Sequence, residues 1–462
     1  LLYNCFWVIE KAWEMASRFS NVVFHKMKSN KMKSDPSNPQ DINGLRLIFR
    51  ALSHRNYRLF FGGQSISLIG TWMQQIAMSW LVYRLTHSAF LLGVVGFTGR
   101  IPTFLFAPLA GVLVDRWSRH RLLVITQILS TIQALILAFL VLTGMITVWH
   151  IIFLSLFLGF VNAFDVPVRQ SFVVDMVEKE EDLGNAIALN SSMATSARLF
   201  GPSIAGILIA TVGEGMCFLL NGLSFLAVIA ALLAMKIPRR KREMQNRQVI
   251  QGLKEGFSYA FGFAPIRSLL LLLGLVSLMG MPYQVLMPIF AGKILHGGPH
   301  TLGFLMAASG CGALAGTIYL ASRKSVLGLG RIIVISSSLF GIGLITFSLS
   351  RVFWLSFLLM LLTGSGMMVQ MASTNTVLQT IVEEDKRGRV MSFYAMAFMG
   401  MVPFGSLLAG SLANNIGAPY TVMIGGIACI LGSVMFAKKL PSLRKIAHPV
   451  YVEKGIISEG LP

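Results

Sequence analysis

Gly111-Val-Leu-Val-Asp115-Arg116-Trp-Ser-Arg119-His-Arg121 is a charged interruption between two apolar runs, 88–112 and 121–143. A helix crossing the hydrocarbon core of a bilayer needs ~20 apolar residues, and each run supplies them. The alternation recurs along the chain. Spans are predicted at 59–83, 88–112, 121–143, 148–168, 185–212, 216–236, 268–291, 301–321, 331–349, 352–376, 390–413 and 418–437. The runs are continuous, not alternating, which argues against a β-barrel. Composition agrees: 55% of the residues are hydrophobic and 13% charged, against ~25% charged in a soluble domain. The expected fold is an all-α membrane protein with twelve transmembrane helices.

Lys and Arg outnumber Asp and Glu by 39 to 19, a net charge of +20. Their placement sets a topology. Basic residues gather in alternate loops: Arg116, Arg119 and Arg121; Lys236 and Arg239–Arg242; Arg323, Lys324 and Arg331; Lys386, Arg387 and Arg389. The other loops hold little beyond Arg84, Lys293 and Arg351. The positive-inside rule then puts both termini in the cytoplasm of a cell (inner) membrane protein. Basic and aromatic residues form no shared platform, so nucleic acid is not an expected partner.

Soluble chemistry has no footing in the sequence. No G-x-x-x-x-G-K-[ST] loop, zinc-protease pattern or nucleophile elbow occurs, so neither an enzyme nor direct use of ATP is expected. Cys5, Cys217, Cys311 and Cys429 form no close pair and read as small apolar residues. No cofactor or metal is expected.

The chain divides into a tail at 1–56, a first six-helix bundle at 57–236, a linker at 237–267, a second bundle at 268–437 and a tail at 438–462. Leu1–Ile9 is too short to span, Lys26–Pro39 reads as disordered, and Met27 and Met32 are candidate translation starts. Within the linker, Val249–Phe263 has apolar residues at helical spacing. It is either a surface amphipathic helix or a plain connector. The halves repeat: Gly184, Gly201 and Gly206 align with Gly388, Gly405 and Gly410. Parallel repeats of this kind mark transporter folds in which one bundle rocks against the other.

The loop quoted above resembles the G-x-L-x-D-R-x-G-R-[RK]-[RK] loop of the major facilitator superfamily, with Ser118 in place of the usual Gly. Gly99-Arg100-Ile-Pro102, Asp165-Val-Pro167-Val-Arg169-Gln170 and Ala197-Arg198-Leu-Phe-Gly201-Pro202-Ser-Ile-Ala-Gly206 are similar to the branch holding enterobactin exporters and macrolide efflux proteins. The resemblance implies a cytoplasmic latch of Gly111, Asp115, Arg116 and Arg119, with Arg169 the best-placed cation for Asp115. A solvated, topology-setting loop is the alternative. The fifth span's Gly201, Pro202 and Gly206 resemble an antiporter motif that leans toward export, with Ala197 and Ala205 replacing Gly.

Ser155, Asn162, Asp165 and Arg169 share one face of the fourth span. Asp165 is the single acid within a span and hence the proton-coupling candidate. It also stands i, i+4 from Arg169, so a fixed ion pair is the competing reading. Arg100 and Arg198 fall near mid-span on small or polar faces. They point either to an anionic or acceptor-rich substrate or to backbone carbonyls freed at helix breaks. Gln64, Thr71 and Gln75, with Gln284 and Gln370, complete a polar cavity lining. The functional expectation is a monomeric secondary transporter. It would use protons to drive efflux of a small amphipathic molecule, a siderophore or macrolide-like drug, by alternating access. An uptake symporter, a lysophospholipid transporter and a non-transporting receptor or scaffold are the alternatives.

Overall fold

The structure is a computed structural model that describes residues 49–106, 117–236, 249–323, 325–384 and 386–454. The first half comprises α1 (Arg55–Thr86), α2 (Ala89–Thr98, continuing after a break to residue 106), α3 (Arg119–Leu142), α4 (Val148–Met176), α5 (Leu183–Val212) and α6 (Glu214–Leu233). The second comprises α7 (Ala264–Ile294), α8 (Pro299–Ala321), α9 (Leu329–Leu349), α10 (Phe353–Ile381), α11 (Arg387–Ile416) and α12 (Ala418–Glu453). A separate linker helix covers Val249–Gly262, which settles the helix-or-connector question for that segment.

Eleven of these helices are long and apolar enough to cross a membrane. The remaining one, α1, has 32 residues, ample length at ~1.5 Å each. Its hydropathy is diluted by Gln64, Gln74 and Gln75, and of these Gln64 and Gln74 are buried. It packs against α5 and α6 inside the first bundle.

Glycine sets the closest packing. Gly213 (φ +89°) turns α5 into α6 and Gly417 (φ +87°) turns α11 into α12, at matching places in the two halves. Across the halves, α2 crosses α11 and α5 crosses α8. A Cβ on Gly93 would sit 2.6 Å from the Ser406 carbonyl, and one on Gly410 2.7 Å from the Gly93 Cα. The related pair is Gly206 and Gly303, where a Cβ on Gly206 would meet the Pro299 carbonyl at 2.9 Å and the Gly303 Cα at 3.1 Å. Small residues of this kind let helix backbones approach without a hydrophobic driving force. Both pairs lie toward the α1–α2 and α7–α8 loops, away from the linker.

Several elements run past the predicted spans, α4 to Met176 and α10 to Ile381 among them. Within the seventh span, π-helical turns at Val276–Gly280 and Phe290–Ile294 bracket a short α segment, Tyr283–Ile289. Pro282 and Pro288 lack the N–H that a regular ladder requires there. The last helix does not stop at 437 but runs to Glu453. Charge at Lys438 and Lys439 ends the apolar run, yet buried Leu443 and Ala447 keep one face packed and the helix continues.

Candidate functional site

A cavity of ≈ 280 Å³ lies between the halves. Its wall draws Gln64, Thr71 and Gln75 from α1, Arg100 from α2, Gln127 from α3, and Asn162, Asp165 and Arg169 from α4. The second half adds Gln284 and Val285 from α7 and Met306 from α8, so most of the polar surface belongs to the first half.

Arg100 follows the break in α2. Pro102 has no N–H, and Gly99 and Arg100 form the turn between two helical stretches. Gly159 of α4 abuts that turn, and Thr103 Oγ1 donates to the Gly159 carbonyl at 3.2 Å. The break therefore docks on α4 while the Arg100 side chain lines the cavity. Among the described residues its guanidinium meets neither a carboxylate nor a carbonyl within bonding distance. The carbonyl-satisfying reading of Arg100 finds no counterpart in this arrangement.

Asp165 is buried at 5% exposure. Thr126 Oγ1 and Gln127 Nε2 each donate to its Oδ1 at 2.8 Å, and Arg169 Nε lies 3.5 Å from its Oδ2. Three donors from α3 and α4 converge on one carboxylate, which fits the ion-pair reading geometrically. Among the described residues Arg169 pairs with Asp165. The latch residues Gly111, Asp115 and Arg116 lie outside the described residues. Arg119 donates from Nη1 to the Ser171 carbonyl at 2.7 Å and pairs with Asp175 at 3.4 Å, fastening α3 to α4 within one half.

Two expected lining residues are elsewhere. Arg198 is half-buried on α5, its guanidinium carbon 5.6 Å from the centroid of the Trp72 ring, a cation–π contact. Gln370 is buried on α10 with its Nε2 unbonded, in the interior of the second half. Of the motif on α5, Gly201 faces α1 at Trp72 and Gly206 faces α8; Pro202 is buried between them.

Sequence reasoning missed a buried amide chain. Asn221 donates to Gln74 at 2.8 Å, Gln74 to Gln133 at 3.0 Å, and Gln133 to the Leu154 carbonyl at 3.3 Å, linking α6, α1, α3 and α4. Gln74 and Asn221 border the cavity. Also missed was His54, whose Nε2 meets Asp182 at 2.8 Å while its Nδ1 accepts from the Glu178 N–H at 3.4 Å. Polar residues inside apolar runs were the available signal for the amides; nothing local announced His54.

The model of the transmembrane secretion effector family, a major facilitator group, matches residues 48–450. This chain belongs to that family. It is 28% identical over 384 residues to the staphyloferrin A transporter of Staphylococcus aureus, covering 82% of this chain and 95% of that one. It is 23% identical over 396 residues to macrolide efflux protein A of Streptococcus pyogenes, again covering 82% and 95%. The solved structure of the nucleoside transporter NupG superposes with a TM-score of 0.64 at 14% identity, covering 84% of this chain and 99% of that one, a likeness of fold. The secretion effector assignment and the fold agree with the sequence expectation of a multi-pass transporter in the efflux branch.

Proposed function

We propose that this secretion effector exports a small, amphipathic molecule bearing acidic groups from the cytoplasm by alternating access. The single observation that carries the cargo class is Arg100, which lines a cavity shared with the Asp165–Arg169 pair and, among the described residues, has no carboxylate or carbonyl bonded to it. A cation that finds no counter-charge among the described residues is costly to keep within a span, and an anionic ligand would supply one. The relatives that transport staphyloferrin A or carry the macrolide efflux name support cargo of this size.

The basic loops and both chain ends belong on the cytoplasmic side. The glycine pairs Gly93–Gly410 and Gly206–Gly303 then close the outer side, and the cavity is loaded from within. Rocking the halves about these close approaches would transfer the cargo outward. A proton gradient drives the return, with Asp165 as the coupling group. Taking up a proton at Oδ2 gives up the Arg169 pair while Oδ1 still accepts from Thr126 and Gln127, so protonation is tied to the Asp165–Arg169 contact. The transporter acts as a monomer.

The test is transport in inside-out vesicles under an imposed pH gradient, comparing a carboxylate or catecholate siderophore with a neutral macrolide. Accumulation of the acidic compound supports the reading. Its movement only in right-side-out vesicles would assign uptake instead.

A further inference from the structure

A second cavity, far larger at ≈ 1190 Å³, opens in the second half at the end that carries the linker helix. It is bounded by the start of α7, the α8–α9 turn, the end of α10 and the part of α12 beyond residue 437. Its wall is apolar: Leu269, Ile333, Ile381, Phe436 and Leu443 are all buried, and Leu440 continues the strip. Its mouth is basic. Arg331, Arg444 and Lys445 line it and are exposed, and among the described residues neither Asp nor Glu does. Among the described residues these three cations have no ion-pair partner. The turn that presents Arg331 is shaped by Gly328 at φ +82°, and Gly330 packs on Leu440 of α12.

This combination sits where the apolar run of α12 gives way to charge, the level at which a spanning helix leaves the hydrocarbon core. Like charges grouped on one rim repel unless a counter-charge joins them, and an apolar slot open at that level meets lipid chains. We propose that the groove is a binding site for one anionic phospholipid. Its phosphate is held by Arg331, Arg444 and Lys445, and an acyl chain lies along Phe436, Leu440 and Leu443. Basic pockets between helices on the cytoplasmic side are suited to such headgroups. The bound lipid would tie α7, α9, α10 and α12 into one unit of the second half. The inference rests on the membrane-spanning reading and is independent of the cargo and of the export direction.

The test uses the full chain, purified in a neutral detergent, delipidated and titrated with dioleoylphosphatidylglycerol, dioleoylphosphatidylcholine or glycerol phosphate. Individual adducts are counted by native mass spectrometry. One phosphatidylglycerol adduct is expected to saturate first and to bind at least about tenfold more weakly in Arg331→Gln/Arg444→Gln/Lys445→Gln. Leu443→Trp, which fills the slot and leaves the charges, is expected to lose the same adduct. A charge-matched control, Arg58→Gln/Lys179→Gln/Lys236→Gln, is expected to keep it. Thermal melts show that each variant is folded. Equal phosphatidylglycerol binding by the triple variant and the control overturns the proposal, as does equal binding of phosphatidylcholine. Full competition by glycerol phosphate would make this a free-phosphate site and refute the lipid assignment. An adduct that appears only after residues 455–462 are removed would assign the groove to the chain's own tail.

Discussion

A guanidinium held within a membrane protein without a carboxylate or carbonyl bonded to it is expensive, and among the described residues Arg100 occupies that position on the cavity wall. A charge-assisted hydrogen bond is worth about 1.5–3 kcal/mol. Arg100→Ala is therefore expected to lower initial transport of an acidic siderophore by at least about tenfold. Arg100→Lys should recover only part of that loss, since it keeps the charge and loses the planar fork. Rates equal to wild type in both variants would remove Arg100 from cargo binding. Asp165 makes a different prediction. Asp165→Asn keeps an acceptor for Thr126 and Gln127 but ends the pairing with Arg169. Gradient-driven accumulation should disappear while exchange without a gradient persists; undiminished accumulation would take the coupling role from Asp165. Arg100 was legible because a charge in mid-span stands out in any apolar run. Gln370 misled because helical periodicity tells which face a residue occupies and not which neighbour covers that face. Thr126 and Gln127, adjacent polar residues within a span, were visible but went unused, because only the fold reveals that they meet Asp165.

Helix crossings carry the next set of expectations. The methyl groups of Gly410→Val would occupy space already held by the Gly93 Cα and the Ala89 carbonyl. That substitution should push α2 and α11 apart on the side proposed to face outward. In a background with the cysteines replaced, Gln75→Cys should then react faster with an impermeant thiol reagent added from that side; an unchanged rate would contradict the crossing. The linker helix is the other element with a clear test. It docks on the second half through Glu255 and Arg389 at 2.9 Å, Phe257 against Phe393, and Tyr259 donating to Glu383 at 3.4 Å. The hydrogen bond from Lys386 holds the Glu383 carboxyl below its usual range. A carboxyl lowered in the folded state contributes stability above its unfolded value and loses it as pH falls through the folded one. Amide exchange across residues 249–262 should accordingly rise once pH falls below the ordinary Glu value of about 4.3, and Glu383→Gln should flatten that rise. A profile identical in wild type and variant would show that Glu383 is not the group responsible. Periodicity raised a helix for this segment but left a plain connector equally open. Its docking partner was hidden because Glu383 and Arg389 lie more than a hundred residues away in sequence.

For the molecule as a whole, hydropathy and loop charge were enough to read the element order, because a bilayer admits so few backbone solutions. Glycine spacing suggested a repeat, and of the aligned glycines Gly206 meets Gly303 and Gly410 meets Gly93 at crossings between the halves. The extent of α12 escaped the reading, since a hydropathy window ends at the first lysines, whereas packing of Leu443 and Ala447 carries the helix further. The site was half legible: α1, α2, α4 and α7 delivered their expected side chains to one cavity, while α5 and α10 kept theirs elsewhere. Export of an acidic molecule through that cavity is most directly tested in inside-out vesicles holding wild-type protein or Arg100→Ala, with a pH gradient imposed and a radiolabelled carboxylate siderophore outside. Accumulation within wild-type vesicles that collapses in the variant is the predicted result. Accumulation equal in both, or none in wild type, would contradict it.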